Sequence, residues 1–395
     1  MPRRSLLLRL ALRVSLASLF VNLAFPKAGF YVGDVPITAG YALLGAAGLL
    51  ALATLLLRRW TLPRPTVWTL AALLPWIGTS AILVVLGDNQ DGAVSAFSFL
   101  VSAALVPVLA LLTTSLVLRW APPRAVRRVV LAALGLVTAW GLVHFVAMNA
   151  FGAFPGVPFL TVTGAELDLA DSRNINRGGI FKMVSTYNNG NILGVNALTW
   201  FPAAFAFAAQ HVPARWVWQG APRLVFLFSL SRTVWAGWLV MEVVNTVFAR
   251  RTRTRLAGLG LSVPLVVAGV VVVAGILAAN PFDFLFDRDL GGRIDQFQFE
   301  LAWLRTSFTG IQEIVYTSIL ASFGVFGLAT FLLAWTFPLL LPAHGPVGKA
   351  AKVGLVAYLF VMVSDGAFPL IPTQHTYWTI AALAVVAPRA REGGS

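Results

Sequence analysis

A chain of 395 residues that is 58% hydrophobic, 11% charged and free of cysteine is not built like a soluble enzyme, where about 25% of residues carry charge. The missing cysteines exclude disulfides and thiolate metal sites, and the histidines at 144, 211, 344 and 375 are never spaced as a metal motif. A net charge of +14 raises the question of nucleic acid, but the basic residues sit in short clusters. These are MPRR, RRWTLPR, RWAPPRAVRR, RRTRTR and PRARE, and they recur at every second loop. That is the positive-inside pattern of a membrane protein.

In chain order, twelve apolar segments predict spans, many of them long enough to cross a bilayer as helix. They are 5–25, 37–57, 66–86, 93–118, 127–150, 191–210, 216–230, 233–249, 257–279, 314–340, 353–371 and 376–388. The first follows MPRRS, lacks a small-residue cleavage site and runs straight into further spans, so it reads as an uncleaved helix. No P-loop or dinucleotide fingerprint follows a strand, and no soluble domain, long linker or short repeat is evident. The expectation is one all-α polytopic membrane domain, 1–395. With the basic loops inside, both termini are cytoplasmic, and the larger loops 151–190 and 280–313 are external and cap an active site. Glu242 and Glu392 then fall inside with most of the basic residues, and the other 13 acids outside.

Eight basic residues oppose this bias by falling outside. Apart from Lys27 they form three groups: Arg173, Arg177 and Lys182; Arg232 in the turn SLSRTVWAG; and Arg288, Arg293 and Arg305. Ionisable groups at a membrane edge are costly and usually functional, and guanidinium forks suit phosphate. Two readings stay open. Either the groups converge on one anion, or each pairs with an acid such as Asp171, Asp287, Asp289 or Asp295.

The stretch RGGIFKMVSTYNNGNILG, Arg177 to Gly194, is polar beside an apolar run. Asn188, Asn189 or Asn191 is a natural helix cap, and a helix start offers free N–H groups and a positive dipole end to an anion. Arg177 and Lys182 lie just upstream. The plainer alternative is a capped helix after a solvated loop. Further on, NPFDFLFDRD is amphipathic and reads either as a surface segment or as a packed loop. The last outer turn, SDGAFPLIPTQHTYW, places Asp365 and His375 where they line the same cavity or serve as polar turn residues.

The order of these motifs carries a resemblance. An arginine-glycine precedes YNNGNILG; SLSRTVWAG follows, then GGRIDQFQFELAWLRTSFTGI and EIVYTSILASFGVFGL. Over roughly residues 170–330 this resembles the O-antigen polymerase and O-antigen ligase superfamily of bacterial envelope glycosyltransferases. The resemblance implies a GT-C-like bundle in the bacterial inner membrane that works at its periplasmic face. Its partners would be an undecaprenyl diphosphate-linked oligosaccharide, membrane lipids and a chain-length regulator protein. It implies no nucleic acid, no cofactor and no metal.

Carried over by residue, the resemblance makes Arg177 and Arg232 a pyrophosphate clamp and Arg293 its Gly-Arg arginine. Tyr316 falls on the family tyrosine, and Glu313 on the position where ligases carry histidine. Ile314 stands where the family has asparagine. The missing histidine argues for a polymerase, or for Glu313 in the same role as base. Arg173, Lys182, Asn188, Asn191, Arg288 and His375 complete the expected substrate-binding set. Tyr316 reads equally as an interfacial anchor. A ligase, a peptidoglycan glycan polymerase and a transporter of lipid-linked oligosaccharide are the alternatives.

Overall fold

Leucine, alanine and valine fill the long runs, and the first two helices each begin after a hydroxyl residue that caps them. A computed structural model describes residues 5–32, 35–89, 92–163, 175–177, 179–187, 189–211, 215–248, 252–276, 301–305, 307–308 and 310–386. Helix α1 (Leu6–Ala24) starts at Ser5, whose hydroxyl accepts the Leu8 amide. A hairpin of β1 (Gly29–Val32) and β2 (Val35–Thr38) follows. Thr38 then caps α2 (Ala39–Leu56) by accepting the Tyr41 amide. Helix α3 (Arg64–Leu86) leads through β3 (Asp88–Asn89) to α4 (Gly92–Leu100), a π-helical turn at Val101–Leu105, and α5 (Val106–Trp120). Helix α6 is Pro123–Phe151, and a two-residue hairpin of β4 (Asn176–Arg177) and β5 (Ile180–Phe181) precedes α7 (Gly190–His211).

The second half runs through α8 (Arg215–Gly220), α9 (Arg223–Phe228), α10 (Arg232–Phe248), α11 (Thr252–Ile276) and β6 (Ser307–Phe308). It ends with α12 (Val315–Leu340), α13 (Gly345–Val361) and α14 (Ile371–Val385). Seven helical stretches among the described residues are long and apolar enough to cross a membrane. They are Leu6–Ala24, Ala39–Leu56, Arg64–Leu86, Ser95–Trp120, Pro123–Phe151, Gly190–Gln210 and Val315–Leu340. Among the described residues the strands make only two-stranded pairs, and the fold is that of an all-α membrane protein.

Three interruptions of the helices have identifiable causes. The π turn leaves the Ala103 carbonyl to accept the Trp76 indole N–H at 3.1 Å. Trp76, fully buried, meets Phe99, Phe323, Phe331 and Trp335 edge-on at 5.3–6.2 Å. It is the hub where α3, α4 and α12 join.

Gly324, at φ +74°, breaks α12. The amides of Val325 and Phe326, freed by the break, donate to the carbonyls of Ala302 and Trp303 at 2.9 and 3.1 Å. Part of the expected outer loop 280–313 therefore lies against a helix break. Leu301 and Trp303 face outward there, 76% and 81% exposed.

The expected span 216–230 is not one helix. Gly220 and Pro222 divide it into α8 and α9, six residues each. Arg223 at the division donates Nε and Nη2 to Glu242 Oε1 at 3.2 and 3.0 Å and Nη1 to the Gln219 carbonyl at 2.8 Å. Trp238 Nε1 and the Ser262 hydroxyl donate to the same carboxylate oxygen. Glu242, grouped with the inner loops by charge, thus lies buried midway along α10.

Two variants test these breaks by thermal unfolding in detergent. Gly324→Ala would put a Cβ 2.7 Å from the Ala302 carbonyl at φ +74° and ψ −173°, a backbone region that costs non-glycine residues about 1–3 kcal/mol. Its unfolding midpoint is expected to fall by several degrees. Glu242→Leu leaves a largely buried guanidinium without its carboxylate, a loss of about 3–5 kcal/mol in comparable pairs, whereas Arg223→Met/Glu242→Leu should recover most of it. Equal stability of the single and double variants would show that the pair is not coupled.

Candidate functional site

Short polar segments on α6's C-terminal side come together at one end of the bundle. The Tyr187 hydroxyl donates to the Leu23 carbonyl near the end of α1, beside the start of α2. Arg58 and Arg59 follow the opposite end of α2. Thr66 of α3 and Ser115 of α5 are hydrogen bonded at 2.8 Å, which gathers Arg64, Arg119 and the α6 arginines at that far end too. Of the cationic clusters, RRWTLPR and RWAPPRAVRR thus lie at the end opposite the polar segments.

The first segment runs inward along α6. Asn149 of α6 holds the Phe181 backbone from both sides, Nδ2 donating to its carbonyl and Oδ1 accepting its amide at 2.9 Å. Four residues on, Ser185 donates its hydroxyl to the Val137 carbonyl at 2.6 Å. From Asn149 to Val137 the path follows twelve residues of α6, about 18 Å at helical rise. Gly141 makes room, since a Cβ there would sit 2.8 Å from Met183 Sδ. Lys182 to Tyr187 are all buried. The stretch expected to lie in an external loop is therefore, in its second half, threaded into the bundle, with Lys182, Ser185 and Tyr187 bonded to protein groups.

At the inner end of this path α7 begins. Asn189 caps it, its Oδ1 accepting the Ile192 amide at 2.7 Å, as the sequence leads one to expect. Gly190 is squeezed, for a Cβ would lie 2.9 Å from Lys182 Cβ and 3.1 Å from the Ser229 carbonyl. Lys182 Nζ donates to Asn191 Oδ1 at 3.2 Å, and Asn191 Nδ2 donates to Asp365 Oδ2 at 3.0 Å. Lys182 is 1% exposed and Asp365 7%.

The arginines meet the same region. Arg177 Nη1 donates to the Leu230 carbonyl at 3.3 Å, and Arg232, two residues on, is the first residue of α10. Next to it, Thr233 and Ser364 share a hydroxyl hydrogen bond at 3.0 Å. The Gly366 amide donates to the Glu313 carbonyl at 3.2 Å, and the Val315 amide to the Met362 carbonyl at 3.1 Å. The described part of the site thus brings the chain around Arg177, Lys182 and Arg232 to the turn that carries Asp365 and, through its backbone, to Glu313.

Not every expected residue has the expected place. Glu313 is exposed at the rim, tied in through its backbone. Tyr316 donates to the Leu359 carbonyl at 2.7 Å, which supports its reading as an anchor between α12 and α13. His375 is buried in the first turns of α14, with Nδ1 lacking a partner among the described residues. No described hydrogen bond joins it to the polar segments. Arg173, Asn188, Arg288 and Arg293 lie outside the described residues. Sequence reasoning set Asp365 at the margin, yet it stands at the centre. Its signal was an acid in an apolar third of the chain, inside a Ser-Asp-Gly turn. No protein-family model, curated protein or solved structure matches the chain.

The native lack of cysteine makes single-cysteine labelling a direct test of this path. Ser185→Cys should resist a membrane-impermeant maleimide until the protein is denatured, while Ala153→Cys and Glu313→Cys label in the folded protein. Equal labelling at 185 and 153 would contradict the inward path.

Proposed function

We propose that this chain is a glycosyltransferase of the O-antigen polymerase kind, taking its donor from a polyprenyl diphosphate. In this reading the chain crosses a bacterial inner membrane twelve times as a GT-C-like bundle. The termini are cytoplasmic and the polar end is periplasmic. The observation that carries the proposal is the meeting of Arg177 with the turn that starts α10 at Arg232, next to the buried Lys182. Cations from separate segments at the mouth of an apolar bundle are suited to an anionic headgroup whose tail stays in lipid.

The reaction is a substitution at the anomeric carbon. An acceptor sugar hydroxyl attacks that carbon, the bond to the diphosphate oxygen breaks, and the lipid diphosphate leaves with the electron pair. Guanidinium groups aimed at the departing oxygens stabilise the developing charge, a contribution of about 3–4 kcal/mol per well-placed donor. The acceptor proton passes to a carboxylate, and Glu313, exposed at the rim, is the group assigned to take it. The leaving group is already activated, so nothing in this step calls for a nucleotide or a metal. Arg293 and the other residues of the resemblance complete the donor site.

The test uses purified protein in detergent with lipid-linked repeat units, without nucleotide and with EDTA. Polymer is expected from the wild type. Arg177→Ala and Arg232→Ala should each abolish polymer while protein level stays intact, and the lysine replacements should recover part, since the bidentate fork is lost. Glu313→Gln should bind donor normally and slow transfer by about a hundredfold, within the usual range for a lost general base. Normal polymer from Arg232→Ala removes that arginine from the site, and a strict need for divalent metal overturns the mechanism.

A further inference from the structure

The turn between α13 and α14 touches three arms of the site. Ser364 shares its hydroxyl hydrogen bond with Thr233, beside Arg232; Asp365 receives Asn191, which holds Lys182; and the Gly366 amide holds the Glu313 carbonyl. Three consecutive residues thus fix α10, α7 with the inward path, and the segment that opens α12. Gly366 is needed for this approach, because a Cβ would stand 2.6 Å from Val315 Cγ2.

The bridge through Asn191 has a defined polarity. An ammonium only donates and a carboxylate only accepts, so a neutral side chain between them must accept on one side and donate on the other. A primary amide does so, and the 3.2 and 3.0 Å contacts fix which way it faces. An acid at the centre of a site meant for an anion works against that anion by simple repulsion. Its presence is accounted for if it holds the cations in place.

We propose that Asp365 is a positioning residue of the anion site: through Asn191 it orients Lys182, and with its turn neighbours it sets Arg232 and Glu313. Diphosphate binding then depends on a carboxylate that never touches the ligand. This rests on the reading of the site as a diphosphate site.

Repulsion and positioning predict opposite signs. If Asp365 only repels, Asp365→Asn tightens diphosphate binding; if it positions, the same change weakens it. The probes are undecaprenyl diphosphate and inorganic diphosphate, titrated separately into the full-length protein in detergent, with the unfolding midpoint followed in parallel. Asp365→Asn is expected to lose about tenfold in affinity for both, in line with one charge-assisted hydrogen bond. Asn191→Asp, which sets two carboxylates together, should also lose affinity.

The exchange Asn191→Asp/Asp365→Asn keeps charge and bonding, since the carboxylate moved to position 191 accepts from Lys182 and from the amide moved to position 365. It should return to within about threefold of wild type, well under the tenfold that 1.4 kcal/mol represents. Should either single variant fail to fold, the exchange variant decides alone: wild-type affinity supports the positioning role, and lost affinity or lost folding overturns it. Binding as tight as wild type, or tighter, in a folded Asp365→Asn protein overturns the role and leaves the diphosphate site standing. Absence of binding of either probe to the wild type overturns both.

Discussion

Inside an apolar slab a backbone amide or carbonyl without a protein partner has no water to turn to, and leaving it unpaired costs several kcal/mol. The irregular parts of this fold each answer that constraint. The chain from Phe181 to Ser185 runs along α6 without being helical, and it does so where Asn149 and the Val137 carbonyl supply partners. The break at Gly324 is closed by the carbonyls of Ala302 and Trp303, and the carbonyl left by the π turn takes the Trp76 indole. Because the irregular segments must be buried against protein, they draw α7, α10, α12 and α13 together at one end. The site is a consequence of that gathering.

Buried charge is handled in two different ways. Arg223 and Glu242 form a closed unit, with one carboxylate oxygen accepting from the guanidinium, Trp238 and Ser262. Such a unit is internally satisfied and fixes where α8 ends and α9 begins. Lys182 and Asp365 are instead linked through the amide of Asn191. A closed pair suits a hinge in the scaffold, whereas a bridged pair keeps electrostatic reach. The second arrangement occurs at the proposed site and the first away from it.

Much of the helical framework was legible in the sequence because apolar length at 1.5 Å per residue is nearly sufficient to define a span. Six of the seven long stretches match expected segments within a few residues at most, and the seventh, α6, differs chiefly in starting earlier, at Pro123. The run 216–230 misled, since composition counts its apolar residues and misses that Pro222 and Arg223 turn the chain into a partner on α10. Asn189 as cap and the approach of Arg177 to the α10 turn were readable from polar residues held against the charge bias. The burial of Lys182 to Tyr187 was not readable. Polar residues look solvated in a sequence, and only the bonds from Asn149 and to Val137 show otherwise. Asp365 is hard to value from sequence for a related reason: its partner Asn191 is 174 positions away, beyond any local pattern.

The backbone itself bears a mark of the same gathering. Five described non-glycine residues adopt left-handed backbone, and three of them are Ser185, Leu230 and Ala367. Ser185 ends the inward path, Leu230 accepts from Arg177, and Ala367 follows the Ser-Asp-Gly turn. Such conformations cost about 1–3 kcal/mol each and persist only where surroundings over-determine them. Here the surroundings are the hydrogen bond from Ser185 to Val137, the bond from Arg177 to Leu230, and the bond from Gly366 to Glu313. Relaxing any one turn would move a charged side chain away from the others, so the strain and the placement of charge are two aspects of one packing solution.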